Sequence, residues 1–294
     1  IEYYRSLGSL AFPWVSVANS QTEYSLPIQM AEYTGIFGIT FWVVLLNMAI
    51  AMFIQKRKRT FVVALLVIFS IPWLLGFIIK KTVHHEEQKA ISVALIQPNI
   101  HLSEKWQDSL KTQHVQTILN LSVEDIQSGT DLILWPETAV PVYLLKSERK
   151  FLRKIRRAMV GSNSMILTGF PHYMYIDKKI HTYNSSVVFD SKNVYDVYEK
   201  IQLVPMAEYV PLSSIFPSLS ELNFGQANFT RGTEPTIYTL KNWQFGSVIC
   251  FESTLPDLMR QFVLAGADFL AIVVNDGWYE TAPEPQQHAK QAIY

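Results

Sequence analysis

Two stretches of this 294-residue chain carry no charge at all, IFGITFWVVLLNMAIAMFI at 36–54 and TFVVALLVIFSIPWLLGFII at 60–79. Each is close to the ~20 apolar residues a helix needs to cross the hydrocarbon core of a bilayer. Between them sits QKRKR, residues 55–59. A soluble core rarely houses two uncharged spans joined by four cations, so the pattern predicts a transmembrane hairpin with a basic turn. Lys and Arg collect in cytoplasmic loops. The turn is therefore expected on the cytoplasmic side and both outer ends on the other side. Pro72 predicts a kink in the second span, which membrane helices tolerate.

The flanks are of a different texture. Residues 1–35 are aromatic and only partly apolar, and Phe12, Pro13 and Trp14 suit a segment at the membrane interface. Residues 80–89, KKTVHHEEQK, read as a polar linker. Its His84, His85, Glu86 and Glu87 are expected to be solvated and not metal ligands, since no second cluster lies at a suitable spacing. This divides the chain into a membrane region, 1–89, and a second domain, 90–294. The hydrophobic share of 49% excludes disorder, and a net charge of zero gives no basic field for nucleic acid. A single cysteine cannot form an intrachain disulfide. The chain opens on Ile1 and ends on Tyr294 inside a helical-looking stretch, which reads as a fragment cut at both ends.

From residue 90 the apolar runs shorten. AISVALIQPNI is expected to be a buried strand ending at Pro98, and DLILWPE (131–137) a second. Residues 103–128 have helical spacing, with Trp106, Leu110, Val115, Ile118, Leu119 and Ile126 on the apolar face. ERKFLRKIRRAMVGSN predicts a basic helix, SMILTGF a third strand, and YNSSVVFD with NVYDVYEKIQLVP a pair of strands. FGSVICFE, a helix over 255–265 and DFLAIVVND complete the reading. Strands alternating with helices indicate an α/β domain with a covered sheet.

Three residues at strand ends make one usable constellation. Glu137 closes DLILWPE, Lys200 closes NVYDVYEK, and Cys250, the only cysteine, closes FGSVIC. Strand ends are where α/β folds gather catalytic groups. A free thiol has a pKa of about 8.5, and the thiolate is the nucleophile. A carboxylate accepts its proton as general base and later returns it. A lysine ammonium stabilises an oxyanion, where one donor is worth about 3 kcal/mol. A helix beginning near Leu255 is expected to lower the thiol pKa further. Taken singly, each residue also fits a plain role: a core cysteine, a helix-capping glutamate, a solvated lysine at a sheet edge.

Together with their surroundings, LWPETAVP, KIQLVPMAEYVP and VICFES, these residues resemble the Glu–Lys–Cys motifs of the nitrilase superfamily. With the hairpin they are similar to its membrane branch, the apolipoprotein N-acyltransferase family, over nearly the whole chain. The resemblance implies a four-layer α-β-β-α sandwich preceded by transmembrane helices, with part of the sandwich missing at the C-terminus. It implies Glu137 as base, Lys200 as oxyanion stabiliser and Cys250 as nucleophile. Glu208, eight residues after Lys200, and Glu252, two after Cys250, match further acids of the family. Trp106 matches a tryptophan near the pocket mouth, with the helix core as its other reading. Phe251 stands where a tyrosine is common, Gln202 where a histidine is, and Met206-Ala207 where Phe-Gly is.

The implied reaction is ping-pong and needs no cofactor and no metal. Cys250 takes an acyl chain from a phospholipid such as phosphatidylethanolamine, then passes it to the N-terminal amine of a diacylglyceryl apolipoprotein. The implied setting is the bacterial inner membrane, multi-pass, with a monomeric enzyme whose catalytic domain is periplasmic. The apolar stretch 211–229, with Phe216 and Phe224, is expected to be an arm dipping into lipid over the pocket. The alternatives are a membrane-tethered amidase and a non-catalytic lipoprotein-binding protein.

Overall fold

In the computed structural model the chain forms two compact units, Ile1–Lys89 with Pro283–Tyr294, and Ala90–Ala282. The structure describes residues 1–8, 10–82, 90–211, 218, 228–278 and 283–293. His84, His85, Glu86 and Glu87 lie outside the described residues, as do Phe216, Phe224 and most of the expected arm.

The first unit opens with α1 (Glu2–Arg5) and two 3-10 turns, Val17–Gln21 and Pro27–Met30. The two uncharged stretches lie inside α2 (Ala31–Lys56) and α3 (Arg59–Thr82). Both helices are long and apolar enough to cross a membrane, and only 17% of the most apolar window of either is buried. Phe41, Val44, Leu66 and Leu74 are among the side chains facing outward, where a soluble protein's core helix would bury them. Arg57, at φ 50°, ends α2 in the left-handed region, and its N–H bonds the Phe53 carbonyl at 2.8 Å. Two residues thus reverse the chain.

Pro72 lies in the interior of α3. It has no N–H for the carbonyl four residues earlier, that of Ile68. The indole N–H of Trp42, from α2, donates to that same carbonyl at 2.8 Å. An unpaired carbonyl in hydrocarbon costs several kcal/mol, so Trp42 completes the ladder that Pro72 breaks. Trp42→Phe is expected to cost about 1 kcal/mol. In a Pro72→Ala background the cost should nearly vanish, because alanine restores the N–H. Thermal unfolding in detergent measures both, and equal losses in the two backgrounds would refute the coupling.

The second unit is α/β. A five-stranded sheet has the order β1 (Val93–Leu95), β2 (Leu132–Leu134), β3 (Met165–Ile176), β4 (Lys179–Phe189), β5 (Val194–Glu199). Its first three strands are parallel and the last three antiparallel. A three-stranded sheet holds β6 (Ile237–Leu240), β7 (Trp243–Ile249) and β8 (Phe269–Val273). The helices are α4 (Leu102–Lys105), α5 (Lys111–Ser128), α6 (Arg149–Ala158) and α7 (Pro256–Leu264). One core cluster joins Val115, Ile118 and Leu119 of α5 and Phe151 and Ile155 of α6 to Ile133, Ile166 and Val187 of the larger sheet. Ser186 of β4 meets Ser247 of β7 through their hydroxyls at 2.6 Å, where the two sheets face each other. The adjacent Gly246 points to the opposite face, where a Cβ would stand 2.4 Å from the Phe262 ring of α7. The layers therefore run helix, sheet, sheet, helix.

Two readings need correction. AISVALIQPNI is not a buried strand: β1 is the sheet edge, with Val93 45% and Leu95 77% exposed. The helix expected over 103–128 is two helices, and Trp106 lies in the break between them, 38% exposed and outside any helix core. Pro283–Tyr294, carrying α8 (Glu284–Gln291), belongs with the first unit. Lys290 pairs there with Glu23, and Gln291 Nε2 donates to the Trp14 carbonyl at 3.1 Å.

Candidate active site

Glu137 follows β2 through Trp135-Pro136. Trp135 is fully buried, and its indole N–H bonds the Ser122 hydroxyl of α5 at 2.9 Å. Its backbone N–H bonds Leu167 at 2.9 Å, which anchors the loop at its root. Gly169 on β3 leaves the room the loop needs: a Cβ there would stand 2.7 Å from Glu137 Cα. The Glu137 N–H reaches the Val274 carbonyl beyond β8 at 3.3 Å. Its carboxylate accepts from Asn184 Nδ2 at 2.7 Å and faces Lys200 Nζ at 3.8 Å.

Lys200 follows β5 and is 1% exposed. Its ammonium donates to Glu208 Oε1 at 2.9 Å. Burial opposes its charge, but Glu208 and then Glu137 hold its pKa above the ordinary lysine value. Glu208 also accepts from Asn184 Nδ2 at 2.8 Å and from the Val204 N–H at 2.8 Å. One amide thus ties two carboxylates together.

Cys250 follows β7 and begins a 3-10 turn, Cys250–Thr254, at φ 53°. A non-glycine residue there stores ~1–3 kcal/mol of strain. Thr138, next to Glu137, and Met206, two before Glu208, are also left-handed. Burial first, and then Glu137, push the Cys250 thiol well above its usual pKa, while Lys200 pulls the other way. The expected depression of the thiol pKa is overturned: burial outweighs it, and the 3-10 turn separates Cys250 from α7.

Glu252 is fully buried two residues on. Its Oε1 accepts from Tyr198 OH at 2.8 Å and from the backbone N–H of Ile201 and Gln202 at 2.7 and 3.0 Å. Its Oε2 accepts from the Ile249 N–H at 2.9 Å. Burial raises its pKa to about 7, against the pull of Lys200 and these donors.

Glu137, Lys200, Glu208, Cys250 and Glu252 are thus gathered in one cluster, with Glu137, Lys200 and Glu252 buried and Glu208 and Cys250 half-buried. Phe251 is buried beside the thiol. Two members escape a reading from motifs. Asn184 stands mid-strand in YNSSVVF, where asparagine is disfavoured. Lys105 is 6% exposed, and its Nζ donates to the Glu137 carbonyl at 3.0 Å. It is the last residue of α4, so the strand-end pattern that marked the other three does not reach it.

The sequence pattern of the family described as carbon-nitrogen hydrolase fits residues 92–292, more than half of the chain. The chain belongs to the carbon–nitrogen hydrolase family. Residues 1–49 also fit the pattern described as apolipoprotein N-acyltransferase N-terminal domain. Among relatives, an apolipoprotein N-acyltransferase of Chlorobaculum tepidum is 31% identical over 94% of this chain and 57% of its own length. One of Geobacter metallireducens is 29% identical over 100% of this chain and 58% of its own. The chain therefore spans under three fifths of these relatives' length. Among solved structures, a glutamine-dependent NAD+ synthetase from Acinetobacter baumannii aligns with TM-score 0.47 at 18% identity, covering 68% of this chain and 34% of that one. An amidase from Nesterenkonia sp. AN1 aligns with TM-score 0.43 at 16% identity, covering 63% and 67%.

Within this carbon–nitrogen hydrolase site, Glu252 offers a direct stability test. Glu252→Gln keeps the shape but turns an amide NH2 toward at least one N–H donor. Leaving buried donors unpaired costs ~1–3 kcal/mol, so a lowered Tm is expected, with loss of activity as the Lys200 segment shifts. An unchanged Tm would show that the buried carboxylate is not needed as an acceptor.

Proposed function

We propose that this chain carries the catalytic site of an apolipoprotein N-acyltransferase. What most supports the reading is one observation: the Lys200 ammonium lies 2.9 Å from Glu208 and 3.8 Å from Glu137, and Glu252 ties its segment to the strand that ends at the single thiol, Cys250. It stands in a chain whose first 49 residues fit the N-terminal domain of that enzyme family.

In the proposed cycle the Cys250 thiol gives its proton to Glu137 as Sγ attacks the ester carbonyl of a phospholipid such as phosphatidylethanolamine. The Lys200 ammonium stabilises the oxyanion. Collapse breaks the ester C–O bond, and Glu137 returns the proton to the leaving lysophospholipid oxygen. The acyl chain is then a thioester on Cys250. The α-amine of a diacylglyceryl-modified N-terminal cysteine attacks next, its proton passes to Glu137, and the C–S bond breaks. The sulfur recovers the proton and the amide is released. Glu208 and Glu252 orient Lys200 and the Cys250 turn, and Trp106, Phe251 and the loops around them line the way in. All the groups come from one chain, so a monomer suffices. Two outward-facing apolar helices and their basic turn support a multi-pass protein of the bacterial inner membrane, with the residues after α3 on the periplasmic side.

The deciding experiment incubates the detergent-solubilised protein with phosphatidylethanolamine and weighs the Cys250 peptide. An acyl-sized mass gain, released by hydroxylamine and absent from Cys250→Ala, is expected. Soluble amides should be left intact. Amide hydrolysis without any acyl adduct would move the assignment to a membrane-tethered hydrolase.

A further inference from the structure

Two ammonium groups are buried in this site, and the proposed cycle uses one. Lys105 ends α4, a single turn whose first N–H groups are capped by His101, with Nδ1 accepting from the Ser103 N–H at 3.3 Å. The chain breaks at Trp106 before α5 resumes. That break lets the Lys105 side chain, 6% exposed, reach inward to the Glu137 carbonyl at 3.0 Å. We propose that Lys105 is a positioning residue of the reaction: its ammonium holds the main chain of the general base Glu137, and its charge offsets the carboxylates around the Cys250 thiol. This rests on the reading of Glu137 as base and Cys250 as nucleophile.

The Glu137 backbone is held from two sides, its N–H by Val274 and its carbonyl by Lys105. The next residue, Thr138, is in the left-handed region at φ 44°, a conformation that persists only when its neighbours hold it. A neutral amide or hydroxyl would satisfy the carbonyl at far smaller desolvation cost than an ammonium. Burying a charge there makes sense only if the charge acts on something. The charged or titratable groups acting on Lys105 are Glu137, beyond β2, and Cys250, beyond β7. Around the thiol stand Glu137, Glu208 and, further along the chain, Asp276, all of which raise its pKa. Lys200 opposes them but is already paired with Glu208. Lys105 is the second positive charge of the cluster.

Burial, against Glu137 and Cys250, lowers the Lys105 pKa to about 8. The charged form is present below that pH and lost above it. Positioning of the base and relief of the thiol should therefore fade as pH rises through about 8. A general base gives a profile its acid limb, and an alkaline limb needs a group that must stay protonated.

The test measures two profiles on the detergent-solubilised protein across roughly pH 6 to 10. One is acyl transfer from phosphatidylethanolamine, and the other is alkylation of Cys250 by iodoacetamide, read by mass on that peptide. Wild-type transfer should show an alkaline limb near 8. Lys105→Arg, which keeps its charge throughout, should retain most of the activity and move that limb upward by at least about one unit. Lys105→Met should lower kcat/KM about 10- to 100-fold below a pH of about 8 and slow Cys250 alkylation there, where wild type carries the Lys105 charge, with the two alkylation profiles converging above it. An alkaline limb left in place by Lys105→Arg overturns the proposal, as does an alkylation profile left in place by a folded Lys105→Met. If the methionine variant does not fold, the arginine limb decides. If wild type transfers no acyl chain yet Lys105→Met still slows alkylation, the substrate reading fails and the role of Lys105 stands. If transfer is normal and neither profile moves, the substrate reading stands and the role of Lys105 fails.

Discussion

The Glu252 carboxylate holds the site together. Its four donors come from two segments: Tyr198, Ile201 and Gln202 bracket Lys200, and Ile249 precedes Cys250. These segments are distant in sequence and belong to different sheets. One buried anion therefore sets the position of the ammonium relative to the thiol. A buried carboxylate without partners would be untenable, and one with four donors fixes both of its oxygens. A second sheet-to-sheet contact, Ser186 of β4 with Ser247 of β7, uses one of the same strands.

Asn184 plays the same part for the other acids. It joins Glu137 to Glu208, and Glu208 in turn takes the Lys200 ammonium. Two like charges on one amide would repel were Lys200 not beside both. The strained residues cluster here as well. Thr138, Met206 and Cys250 all take left-handed backbone at or next to groups of the cluster. Such conformations need surroundings that over-determine them, which the buried hydrogen bonds supply.

Much of this was readable from local pattern. The uncharged spans, the basic turn and the acids at fixed distances from Lys200 and Cys250 depend on residues close in sequence. Where the reading failed, the missing information was long-range. AISVALIQPNI has the apolar run of a buried strand, but a run does not say whether the strand has one neighbour or two, and β1 has one. Trp106 has helical spacing with Leu110, yet the chain breaks there so that Lys105 can turn inward. Asn184 and Lys105 belong to no motif around Glu137. Strand order brings the first to it across 47 residues and the α4 break brings the second across 32. The thiol pKa was misjudged for the same reason, because burial by distant segments outweighs the local helix.

That raised thiol pKa has a chemical consequence. A thiol held protonated by burial and by neighbouring carboxylates is a poor target for oxidants and stray electrophiles, since the thiolate is the reactive form. On the proposed reading it becomes a nucleophile only when Glu137 takes its proton during attack. The base must then already be aimed, because no standing thiolate makes up for poor geometry. This explains why so much of the buried polar structure converges on Glu137: a glycine that makes room for its loop, a tryptophan that roots it, an asparagine on its carboxylate and backbone partners on both sides of its peptide. In such a site reactivity depends on the aim of the base more than on the resting state of the sulfur.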